Sequence, residues 1–398
     1  MNSTPRILSS ISPAGPIHLG HYFGALVNWK KLQYEFDCFF MVADLQCLCR
    51  QPALELESLI EDLVINWLAC GIDPSQATLF IQSRIPEQSE LMLLLAAITP
   101  LAWLERAPSY KDQVAELEHT DLNSYGYLGL PLLQSTGILA YAAKFVTVTE
   151  DNIAIIELTR DIARRFNHLF GREEGFAARA QESIKKLGSK KSEIYQELLT
   201  KFQQDGDEES REKARFLLQD ALNLAHGDRE RLFAFLENKG KVFLTEPQIL
   251  LQESPWIPGL DGQKMSRSAN NTINLRDNRE TIEKKIRNMQ TDPARIRRSD
   301  VGNPERCPLW KLHEIYSDKA TQEWAHLGCT SASIGCLDCK QPVIAALSKQ
   351  QQELSANAAP YLEDPTLVKR IISDGCNRAR DVAAENIKQI KQAMNIDY

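Results

Sequence analysis

No stretch of this chain approaches the roughly 18 consecutive apolar residues that a membrane-crossing helix needs, so no membrane partner is expected. The opening residues, MNSTPRILSS, lack a basic start, an apolar run and a cleavage site, and the expectation is a cytoplasmic protein. Internal repeats and low-complexity segments are missing too, which excludes a solenoid or a linker-rich chain. Positive charge is in deficit: 46 Lys and Arg against 53 Asp and Glu leave a net charge of −7. That balance argues against a protein that coats nucleic acid without selectivity. A local basic stripe could still carry phosphate contacts, and KKIRN (284–288) and ARIRR (294–298) are candidates, although a solvated helix face reads the same way. No Ser/His/Asp or Cys/His constellation for nucleophilic catalysis is evident. Nine cysteines in a chain without a leader are not expected to form structural disulfides.

What is present reads as α/β. RILSSI (6–11) ends in the turn cluster Ser12-Pro13-Ala14-Gly15-Pro16, and a helix is expected from about Ile17. CFFMVAD (38–44) is a continuous apolar run of strand length, as buried parallel strands are. Leu56, Leu59, Leu63 and Trp67 fall on one helical face, and Gly71 with Asp73-Pro74 ends that helix. Further strands are expected at 77–83, 145–149 and 241–246. The rhythm implies a Rossmann-type parallel sheet. The charged segment 177–238 reads as an inserted helical hairpin, and the chain is helical in pattern from 276 onward. The domains expected are a core over 1–176, the insertion over 177–238, the end of the core over 239–275 and a mainly helical domain over 276–398.

Two motifs carry chemistry. His18-Leu19-Gly20-His21 follows the first strand and its turn, where a helix N-terminus offers unpaired N–H groups to an anion. Two imidazoles on one turn can both donate to phosphate oxygens, while Gly15 and Gly20 let a nucleotide approach the backbone. Late in the chain, Lys264-Met265-Ser266-Arg267-Ser268 sets hydroxyls around two cations, a loop able to close over pyrophosphate and stabilise a leaving group. Asp44 and Asp151 each follow a strand, where ligands of parallel sheets gather or where a helix is simply capped.

With HLGH early, KMSRS late and a parallel core between them, the chain resembles class I aminoacyl-tRNA synthetases. It is most similar to their tryptophanyl branch, through SPAGPIHLGHYFGAL, VADLQ, GIDPSQATLFIQSRIP, ELTRDIARRFNHLFG and PGLDGQKMSRSANNTI. The resemblance implies that ATP and Mg²⁺ activate an amino acid, tryptophan in this branch, which then passes to tRNA. It implies catalytic roles for His18, His21, Lys264 and Arg267, and ATP contacts at Gly15, Gly20, Asp151, Met265, Ser266 and Ser268. It also implies a homodimer, an anticodon-reading C-terminal domain, and an amino-acid pocket at Ser12, Asp44, Leu130, Gln134 and Gly137.

That pocket departs from the family pattern. Leu130 stands where a Tyr is usual, and Gly137 where an Asp accepts the indole N–H. The alternative that follows is a paralog that adenylates a different amino acid or serves a non-tRNA acceptor. A third feature is Cys307-x21-Cys329-x6-Cys336-x2-Cys339, four thiols that suit tetrahedral zinc or a 4Fe–4S cluster. The resemblance implies the cluster, because some bacterial members carry nearly this spacing.

Overall fold

A computed structural model describes residues 4–50, 55–107, 124–148, 153–171, 175–221, 223–237, 240–251 and 255–397. They fall into two compact units interleaved along the chain. The first spans Met1–Arg84, Thr147–Glu150 and Leu250–Ala379, and the second Ile85–Val146, Asp151–Ile249 and Arg380–Tyr398.

Five strands, β1 (Arg6–Ile11), β2 (Asp37–Val42), β3 (Ala77–Ile81), β4 (Phe145–Val148) and β5 (Gln248–Leu251), form one sheet in the order β3-β2-β1-β4-β5. The order reverses at β1, the place where open α/β sheets bind ligands at their carboxyl ends. β1 pairs parallel with β2, Ile7 opposite Cys38, and β2 pairs parallel with β3, Cys38 opposite Ala77. Cys38, Phe39, Phe40, Met41 and Val42 are all buried, which is why β2 reads as unbroken apolar sequence rather than alternation. Trp29 stacks on Phe40 with ring centroids 4.1 Å apart, and Trp67 meets Trp29 edge-on. The helix Pro365–Ala393 closes the β3 edge: Gly375 has no room for a side chain against the Leu79 backbone, and the Ile81 amide donates to Cys376 Sγ at 3.5 Å. An edge covered this way offers no ladder to another chain.

The second unit is mainly helical, with Pro86–Ala96, Leu130–Leu139 and Ile153–Phe170 packed together. The inserted segment is four helices rather than a hairpin: Phe176–Lys186, Ser189–Asp205, Glu208–Gln219 and His226–Leu236. They enclose a small core of their own around Ile184, Tyr195, Leu199, Leu218 and Leu232. Gly188 and Gly206, both at positive φ, and the Asp207 cap break the chain into these pieces.

The strand expected at 241–246 does not form. Asn167 takes its place as a partner: its side-chain oxygen accepts the amides of Phe243 and Leu244, and its Nδ2 donates to the Leu244 carbonyl at 2.8 Å. With those backbone groups satisfied by a side chain, the chain reaches the sheet only after Pro247, as β5. No helix among the described residues is long and apolar enough to cross a membrane.

Candidate active site and cysteine centre

The first helix after β1 begins at Leu19, two residues later than the sequence suggests, because His18 is its N-cap. His18 Nδ1 accepts the Gly20 amide at 3.1 Å, and His21 Nδ1 accepts the His18 amide at 3.4 Å. The two rings lie 3.9 Å apart. A Cβ on Gly20 would come within 2.9 Å of the His18 ring, so glycine is what allows this cap. Because His18 Nδ1 is an acceptor, the proton of the neutral ring sits on Nε2, where it serves as a donor. Burial, reinforced by the Arg267 charge, lowers the His18 pKa to about 4; burial, His18 and Arg267 push His21 well below its usual value. Both rings are therefore neutral at pH 7.

KMSRS joins HLGH through the backbone. Leu19 N donates to the Ile273 carbonyl at 3.0 Å and Leu275 N to the Ile17 carbonyl at 2.9 Å, an antiparallel bridge that brings the far end of the late loop to the start of the early helix. Arg267 lies over it: its Nη2 is 3.0 Å from His21 Nε2 and its Nη1 reaches the Ser12 carbonyl at 3.5 Å. Gly15, at φ +139°, leaves the room that the Arg267 stem occupies, 3.4 Å from where its Cβ would stand. Guanidinium only donates, so the contact needs a lone pair on His21 Nε2, while the His18 amide asks for one on Nδ1. A neutral imidazole has one, and the longer 3.4 Å contact yields.

Sequence reasoning missed Asn271. Its buried amide donates to Asp261 at 2.8 Å and to the Lys264 carbonyl at 3.1 Å, and its oxygen accepts the Ser266 amide at 2.8 Å. Gly259 packs against it with no space for a side chain. Asn271 thus holds the curve of the loop, Met265 anchors it by burial, and Ser266 and Ser268 hydroxyls meet at 3.0 Å, with Lys264 left exposed. The signal was available: a second Asn directly after KMSRSA, in a stretch rich in turn residues.

The other expected residues are placed as follows. Asp44 Oδ1 accepts the amides of Leu45 and Ser83, both at 3.0 Å, tying the end of β2 to the end of β3. Leu130, Gln134 and Gly137 lie on the helix Leu130–Leu139 of the second unit. Asp151 lies outside the described residues. In the basic segments, Lys285 pairs with Asp277 and Arg287 with Glu283, Arg295 is buried, and Arg297 is exposed.

The four spaced cysteines come together in the first unit from three places. Cys307 precedes the helix Pro308–Tyr316, Cys329 ends Lys319–Thr330, and Cys336 and Cys339 open Cys336–Glu363. Residues 331–335 separate the second and third of these helices, and the helical pattern expected from 276 onward is broken as well over 289–303. Burial pushes the Cys339 thiol up to about 12, helped by the nearness of Cys307, Cys329 and Cys336. Arg295 Nη1 stands 3.8 Å from Cys329 Sγ, and His313 Nε2 is 3.4 Å from Cys339 Sγ. Buried Lys340 donates to the carbonyls of Arg287 and Met289, both at 2.7 Å. In donor type the set fits a thiolate-bound centre, although burial raises the Cys307, Cys329 and Cys339 thiols and the Arg295 charge offsets this only in part. Among the described residues no three His, Cys, Asp or Glu side chains are spaced to hold a metal ion.

The profile of the class I tRNA synthetases (W and Y) matches residues 1–214 and 229–350. A tryptophan–tRNA ligase of Ralstonia nicotianae is 51% identical over 396 residues, 99% of both chains. One from Thermotoga maritima is 36% identical over 99% of this chain and 100% of its own. The structure of a Campylobacter jejuni tryptophanyl-tRNA synthetase complexed with ADP and tryptophan superposes with a TM-score of 0.73 at 23% identity, over 98% of this chain and 99% of that one, a likeness of fold. With HLGH and KMSRS joined at the end of the first strand and relatives matched along their whole length, the chain belongs to the class I tRNA synthetases, among their tryptophan–tRNA ligases.

Proposed function

We propose that the chain activates L-tryptophan with ATP and transfers it to tRNA. The observation that carries this reading is the union of the two motifs, with Arg267 held 3.0 Å from His21 over a helix N-terminus. The tryptophan carboxylate attacks the α-phosphate in line, pyrophosphate leaves, and the 3′-terminal ribose of tRNA takes the acyl group. His18 and His21, neutral donors, hold phosphate oxygens as charge develops. Lys264 and Arg267 neutralise the leaving pyrophosphate, with Mg²⁺ entering as part of the ATP substrate. Gly15, Gly20, Met265, Ser266 and Ser268 of the first unit shape the nucleotide site, and Leu130, Gln134 and Gly137 of the second unit serve amino-acid recognition. The relatives' name supports the choice of tryptophan. Domain 276–398 reads the anticodon, and the protein works as a cytoplasmic homodimer.

The test is pyrophosphate exchange with each of the twenty standard amino acids, followed by charging of total tRNA. Stimulation by tryptophan and formation of Trp-tRNA are expected. No stimulation by tryptophan sinks the reading, and adenylate without esterified tRNA favours the paralog with another acceptor.

Cys307, Cys329, Cys336 and Cys339 would hold a 4Fe–4S cluster, with zinc as the alternative; the four-thiol donor set beside Arg295 and Lys340 supports this. The bound centre would supply a structural cross-link between the three segments. Anaerobic purification should give iron, sulfide and visible absorbance; zinc alone, or no metal, rejects the cluster.

A further inference from the structure

The helix Leu130–Leu139 carries three polar side chains, Gln134, Ser135 and Thr136, in otherwise apolar sequence. Two are satisfied inside the second unit. Ser135 Oγ donates to the Pro131 carbonyl at 2.9 Å and accepts from Thr159 Oγ1 at 3.0 Å, and Thr136 Oγ1 donates to the Leu133 carbonyl at 2.8 Å. Gln134 differs: its Oε1 is sealed from solvent and has no hydrogen-bond partner. Buried polar atoms are nearly always paired, so an orphan on a helix of the proposed amino-acid pocket needs an account. Residues 130, 134 and 137 recur at helical spacing on one face. Leu130 brings no polar group to that face and Gly137 brings no side chain. Of the side chains at 130, 134 and 137, Gln134 alone brings an acceptor, and that acceptor is buried and unpaired.

A tryptophan side chain has a single polar group, the indole N–H, which only donates. We propose that Gln134 Oε1 accepts the indole N–H, so that an uncharged amide performs the recognition for which Gly137 has no carboxylate. The proposal rests on tryptophan being the substrate. A neutral acceptor forms a weaker bond than an ionised one, so the preference for the indole N–H is smaller here than a carboxylate would give.

The test compares kcat/KM for pyrophosphate exchange with tryptophan and with 3-benzothienylalanine, which keeps the shape and replaces N–H by sulfur. Wild-type enzyme is expected to prefer tryptophan by about 10- to 100-fold, the scale of rejecting a ligand that leaves a buried polar group unpaired. Q134M should bring that ratio close to unity, whereas Q134E, which keeps an acceptor, should retain it. The ratio is taken within one preparation, so a lowered folded fraction cancels. Should Q134M be insoluble, Q134N, with its amide drawn back by one methylene, carries the same expectation. A Q134M or Q134N ratio equal to wild type overturns the proposal while leaving the ligase reading intact. Wild-type enzyme that makes no adenylate with tryptophan overturns the ligase reading, and the proposal falls with it.

Discussion

The two motifs around ATP and the helix Leu130–Leu139 solve opposite problems. Around HLGH and KMSRS, most polar groups are occupied by the fold itself: His18 caps its helix, Asn271 holds three groups of the loop, and Arg267 rests on His21 through Nη2 while its Nε is buried without a partner. On the amino-acid helix, Ser135 and Thr136 are internally paired and Gln134 is not. Pre-pairing keeps cations and imidazoles in place before a polyanion arrives and exchanges partners. The unpaired oxygen is held for a donor that brings just one N–H.

Substitutions can break this contrast, and the largest effect is expected where a placed cation is lost. R267A should lower the rate of adenylate formation by about 10²–10³-fold, the scale for removing one pre-positioned transition-state donor. Single-turnover adenylation measures it, and a loss under about fivefold would separate Arg267 from the chemistry. N271A comes next. It strips three partners from a buried hub and should cost about 2–3 kcal/mol in urea unfolding, with a raised KM for ATP. An unchanged midpoint would remove Asn271 as the organiser of the loop.

The pH response follows from the histidines. Their folded-state pKa values lie below 6.5, at about 4 for His18, so the unfolded chain binds protons first as acid is added. Their contribution to stability is complete above about pH 6.5 and is lost as pH falls toward 4. H18N retains a capping oxygen for Gly20 and loses the titration, so its urea midpoint should fall less over that window than wild type. Identical curves would contradict the burial of a neutral His18. The smallest effect is expected from T159V, which removes a hydroxyl that donates within the second unit. That hydroxyl shares its proton between Ser135 Oγ and the Ile155 carbonyl, so its loss should cost about 1 kcal/mol of stability and leave the preference for tryptophan over its sulfur analogue unchanged. A shift in that preference would blur the line drawn between Gln134 and its paired neighbours.

The parallel core was legible because β2 and β3 are buried on both faces and their sequences are correspondingly unbroken. HLGH and KMSRS were legible as well, since their glycines, histidines and cations sit at fixed local spacing. Long-range partners were not. Nothing local in KVFLTE tells that Asn167 will take up its backbone groups, and β propensity alone suggests a strand there. The insertion's charge pattern announced helices but could not count them, because the breaks at Gly188 and Gly206 depend on glycines taking positive φ. Gln134 was noted for its position, but its unpaired oxygen depends on every neighbour's bonds. Asn271 is different: its three partners are local, 5 to 10 residues away, and the turn-rich ANN after KMSRS was the signal for it.

The contested lone pair of His21 carries one more consequence. With Arg267 at Nε2 the neutral ring keeps its proton on Nδ1; were the arginine to turn to a phosphate, Nδ1 would be free to accept the His18 amide and Nε2 would carry the proton. The two tautomers differ in nitrogen chemical shift, so the imidazole is a built-in reporter of loop engagement. A single labelled histidine would let NMR follow, without any attached dye, how often the late loop lets go of the early one.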